Sequence, residues 1–155
     1  MTTRKFANLL IASAPLLCAG CVAPNEIITS HYATRSNAEE DGAFARGWLP
    51  EEMPASAANI IEVHSIDSNE MWIRFSYAGE DSKFFVRSCV RSRSMSFPDS
   101  RRTKQSAPWW PQDLSGDAPH EFYACNAMRH AGNEISAGVV VLPIQREIYY
   151  WVRNR

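Results

Sequence analysis

No run of about 20 consecutive apolar residues, the length an ordinary membrane-spanning helix needs, occurs in this chain of 155 residues. GxSxG, a phosphate-binding P-loop, GxGxxG and HExxH are all missing, and with them the common signatures of hydrolases, nucleoside triphosphatases, dehydrogenases and zinc peptidases. A site assembled from scattered residues is still open. Neither sign of charge dominates: 16 Lys and Arg stand against 17 Asp and Glu, a formal net charge of -1, which excludes a global nucleic-acid binder. Cysteine is scarce at four residues, and no CxxC or HxxxH spacing accompanies Cys89 and Cys125, which disfavours a zinc site. No cofactor or metal is expected, and no internal repeat is visible.

What is present begins with an address. Arg4 and Lys5 form a basic n-region, and the following apolar run to Leu17 is too short to span a bilayer and is broken by Asn8 and Pro15. It ends in Leu17-Cys18-Ala19-Gly20-Cys21. This resembles the lipobox of bacterial lipoproteins, with Cys18 standing where the family usually carries an aliphatic residue. The resemblance implies cleavage before Cys21, diacylation of its sulfur and acylation of its new amino group. Leu17 is too large to precede a modified Cys18. The alternatives are ordinary signal cleavage after a small residue and an uncleaved anchor. Two or more acyl chains would hold the protein stably on its membrane, each buried CH₂ contributing about 0.8 kcal/mol. Val22 stands where an Asp would imply inner-membrane retention, so an outer-membrane address facing the periplasm is expected. Removing Arg4 and Lys5, the only charges among residues 1–20, takes the formal charge from -1 to -3.

The rest reads as one domain. Residues 1–20 are the signal, 21–35 the lipidated cysteine with a short tether, and 36–155 a single globular unit whose five Trp, four Tyr and six Phe argue against disorder. Ser36 with Glu39 looks like a capping box opening a helix over 37–46, which Arg46 and Gly47 would end. Strands are predicted over 59–65, 71–77, 120–127, 135–142 and 145–152, the last two as a hairpin. A second helix over 80–90 would place Phe85, Val86, Cys89 and Val90 on one stripe. Residues 91–119 read as a long loop. These elements predict an α+β fold, an antiparallel sheet of about five strands with two helices packed on one face.

Four groups of residues are candidates for function. Cys89 and Cys125 remain after processing, and an exported protein would pair them as a disulfide that stabilises by roughly 3–4 kcal/mol; two buried free thiols are the alternative. Glu62 and His64 project from one strand face with Asp67 just beyond, which would suit either an envelope hydrolase or a hydrogen-bonded structural cluster. Trp109 and Trp110 lie in the long loop beside Arg101 and Arg102, residue types enriched at binding hot spots. With Arg87, Arg91, Arg93 and Lys104 those arginines make a basic block suited to an anionic lipid or an acidic envelope protein.

Asp41-Gly-Ala-Phe-Ala-Arg-Gly-Trp-Leu-Pro50, Ile60-x-Glu-x-His64, Asp67-Ser-Asn69, Pro108-Trp-Trp-Pro111 and Tyr149-Tyr-Trp151 together resemble a set of small bacterial proteins and lipoproteins. That resemblance implies one folded domain and supplies no catalytic residue. The expectation is therefore a non-enzymatic, lipid-anchored binding or structural module, with the hydrolase built on Glu62, His64 and Asp67 as the alternative.

Overall fold

The computed structural model describes residues 27–93, 105–111, 119–127 and 135–153. Seven strands form one antiparallel sheet: β1 (Ile27–Thr34), β2 (Ala58–Ser65), β3 (Met71–Ser76), β4 (Cys89–Ser92), β5 (Glu121–Ala127), β6 (Ile135–Leu142) and β7 (Glu147–Arg153). Their order across the sheet is β1-β2-β3-β7-β6-β5-β4. Helical structure includes a six-residue helix, α1 (Arg35–Glu40), and a single helical turn, α2 (Ser82–Phe85). The fold is mostly β, which corrects the expected five-stranded sheet bearing two packed helices.

Each departure has a local cause. Residues 27–34, read as tether, are the β-branched and aromatic run Ile-Ile-Thr-Ser-His-Tyr-Ala-Thr, and they pair with β2 from Ile27↔Ser65 to Thr34↔Ala58. As an edge strand β1 has one solvated flank and no fully buried apolar position, which hides its period. The expected helix over 37–46 starts earlier and breaks inside. Thr34, not Ser36, caps α1, its hydroxyl accepting from the Asn37 N–H at 3.3 Å. Gly42 then adopts φ +78°, and the bonds Gly42 N–H to Glu39 O and Ala43 N–H to Ala38 O close a Schellman motif. Five residues on, Gly47 at φ +73° repeats it, with Gly47 N–H to Phe44 O and Trp48 N–H to Ala43 O. The chain thus reverses twice and lies down on the sheet.

The second expected helix, over 80–90, shrinks to α2. Phe85 and Val86 insert into the core, Phe85 meeting Phe75 and Tyr150 edge-on at 5.3 and 5.7 Å, and Cys89 is drawn into β4 opposite Cys125. Cys89 and Cys125 form a disulfide across this strand pair, with Cα atoms 4.3 Å apart, the spacing of a non-hydrogen-bonded antiparallel pair. Non-local pairing has overridden a local helical pattern.

Strand alternation splits the core in two. On the first face Ile60, Ile73, Phe75, Val139, Val141 and Ile148 pack beneath Leu49, Met53 and Phe85. On the second, Val63, Trp72, Val140, Tyr149 and Trp151 pack beneath Ala107 and Trp110.

Candidate functional site

The chemistry-bearing residues of β2 lie on the first face. Glu62 sits between Ser30 of β1 and Ile73 of β3 in register, and His64 follows two residues on, so both side chains point under the β1–β2 connection. Glu62 is 0% exposed and His64 8% exposed. One Glu62 oxygen, Oε1, lies 2.7 Å from His64 Nδ1.

A cover built from that connection closes over the pair. The Trp48 ring, carried in by the turn at Gly47, lies 4.7 Å from the imidazole, and the Arg46 guanidinium stacks over Trp48 at 4.0 Å. Asp41 holds Arg46 through an ion pair and accepts a 2.9 Å hydrogen bond from the Tyr32 hydroxyl. Burial pushes the Glu62 carboxyl up to about 8, opposed by the Ser30 hydroxyl and the positive charge of Arg46. Burial also pushes His64 below its ordinary value, and Arg46 acts in the same direction. Both shifts favour the neutral forms of the two groups, which one hydrogen bond joins.

Asp67 does not join them. It is exposed in the β2–β3 turn and lines a cleft of about 320 Å³ with Ile27, Ser65, Glu70, Trp72 and Gln105, at the end of the sheet where β1 begins. The carboxylate–imidazole–carboxylate arrangement expected of a hydrolase is split, with two members sealed under Trp48 and the third outside. Among the described residues no group of three or more His, Cys, Asp and Glu is placed to hold a metal ion.

Trp110 is likewise not a surface residue. At 3% exposure it packs edge-on against Trp151 and Tyr149, at 5.4 and 5.6 Å, and it belongs to the second core. This corrects its reading as a contact residue. Trp109 is half-buried against Tyr149 at 6.2 Å. Of the basic block, Arg91 pairs with Glu121 at 3.0 Å, while Arg87 and Arg93 are exposed. Arg101, Arg102, Lys104 and Cys21 lie outside the described residues.

The sequence reading missed the cover: Ser30, Tyr32, Asp41, Arg46 and Trp48. One signal pointed to it, the tryptophan directly after a helix-ending glycine.

Residues 26–76 are similar to the family described as the YbbD head domain. The match takes in about a third of the chain, from β1 to β3, and contains every residue of the pair and its cover. No curated protein and no solved structure matches the chain.

Proposed function

We propose that this protein is a bacterial envelope lipoprotein, held by acyl chains on Cys21 in the outer membrane and facing the periplasm, whose folded domain is a non-enzymatic binding or structural module. The observation that carries the non-enzymatic part is the closure over Glu62 and His64. The buried carboxyl–imidazole pair is covered by Trp48 and Arg46, so a substrate would have to displace a stacked indole to reach it. The lipobox Ala19-Gly20-Cys21 behind a short apolar run supports the anchored part.

Intact-mass measurement on the membrane fraction tests the anchor. A chain starting at Cys21 with added acyl mass is expected, and Cys21→Ala should block processing. A soluble periplasmic chain starting elsewhere would overturn it. For the partner, crosslinking in intact cells should recover the same protein from wild type and from a His64→Asn variant. Loss of a turnover-linked adduct in that variant would instead restore the hydrolase.

A further inference from the structure

The tether is short, and the end of the sheet it reaches is apolar. Between Cys21 and Ile27 there are six Cα steps, which span at most roughly 20 Å fully extended. The polar headgroup zone accounts for roughly 5–8 Å of that reach. What is left, roughly 12–15 Å, keeps Ile27 within that distance of the headgroup surface.

The strand register says which end lies closest. Ile27 opens β1 opposite Ser65, and Ile66 follows Ser65 at the start of the β2–β3 turn, so the two isoleucines share one end of the sheet. Ile27 is 39% and Ile66 48% exposed, although both are large apolar side chains. The β6–β7 turn, with exposed Ile144, lies at the opposite end, since Leu142 pairs with Glu147 there while Met71 pairs with Val152 at the near end. Strands of about eight residues separate the ends by roughly 25 Å.

We infer that Ile27 and Ile66 form a bilayer contact: the domain stands on its anchor end, with these side chains in the headgroup zone and the β6–β7 turn turned away into the periplasm. This rests on the lipoprotein reading and adds an orientation to it. Asp67, exposed at the same end, and Glu70 make an uncharged or zwitterionic headgroup surface the fitting one. The tether brings the lipid to this end, and the isoleucines supply apolar area for the interface.

The test uses the processed, acylated full chain reconstituted in vesicles of phosphatidylethanolamine and phosphatidylcholine containing a lipid spin-labelled high on its acyl chain. A thiol-reactive fluorophore is placed at Ile66→Cys in one sample and at Ile144→Cys in another, the native cysteines being acylated or in the disulfide. Quenching at 66 should exceed that at 144 at least about threefold, given the separation of the two ends. Ile27→Asp, a change at an exposed strand end that leaves the core untouched, should lower quenching at 66 at least about twofold. Missing acyl mass on Cys21 overturns the anchor and the orientation together. Acyl mass with equal quenching at 66 and 144 overturns the orientation alone. Preferential quenching at 66 that ignores Ile27→Asp overturns the apolar contact.

Discussion

The two faces of the sheet are closed by different kinds of chain. The first lies under the β1–β2 connection, in which two glycine-terminated turns bring Trp48 and Arg46 over a buried Glu62–His64 pair. The second lies under residues 105–111, where Ala107 and Trp110 meet Tyr149 and Trp151. One cover encloses a hydrogen-bonded pair and the other encloses rings. The first face is therefore expected to respond to pH and the second to volume changes.

Trp110→Ala should be the most damaging single change, since it empties the centre of the second core. Truncating a buried aromatic costs about 3–5 kcal/mol, read as a fall in Tm by calorimetry and a loss of near-UV circular dichroism. A loss below about 1 kcal/mol would mean that this cover contributes little.

Cleaving the Cys89–Cys125 link, which spans 36 residues, should destabilise by about 3–4 kcal/mol in urea titrations of Cys89→Ala/Cys125→Ala against wild type. An unchanged midpoint would show that β4 and β5 pair without it.

The pH response follows from the two shifts. Glu62 titrates higher in the folded than in the unfolded state, so between its ordinary value of 4.5 and about 8 the native protein binds more protons, and stability falls as pH rises. His64 titrates lower in the folded state, so stability rises with pH up to its ordinary 6.5. The two oppose each other in the acid range, and above 6.5 only Glu62 acts. Wild type should lose about 1–2 kcal/mol between pH 6.5 and 8. Glu62→Gln should flatten that slope in pH-dependent denaturation, and a slope that survives would place its origin elsewhere. The same pair offers a sharper comparison. Glu62→Leu alone leaves His64 Nδ1 unpartnered, at about 1–3 kcal/mol, whereas Glu62→Leu with His64→Phe should recover most of it.

Arg46→Met should have the smallest effect, about 0.5–1 kcal/mol for an exposed cation stacked on an indole. It should also raise the His64 titration midpoint by removing a neighbouring positive charge, which an NMR titration would detect.

Five strand positions were legible because they alternate or run apolar between turn residues. Met71-Trp-Ile-Arg-Phe-Ser, for example, puts Trp72 and Arg74 on one face and Ile73 and Phe75 on the other. β1 and β4 were not. Both are edge strands, and their pairing partners lie 24 to 38 residues away in the chain. Their own sequences read as tether and helix until β2 and β5 are set beside them. Glu62 and His64 were singled out correctly as neighbours on one strand face. Their burial was not foreseeable, because it depends on Trp48, which arrives through a left-handed glycine rather than through any periodic pattern.

Local chemistry in the sequence determined the glycine stop at 47, the alternation of the central strands and the side on which Glu62 and His64 stand, because each depends on backbone sterics or on a two-residue period. Tertiary structure alone decided that residues 27–34 and 89–92 are strands, that Trp110 is core, and that Asp67 stays apart from the pair it was expected to join. Those outcomes depend on which distant surface covers a residue, and the free energy of that burial exceeds the small local preferences that single-sequence reasoning can weigh.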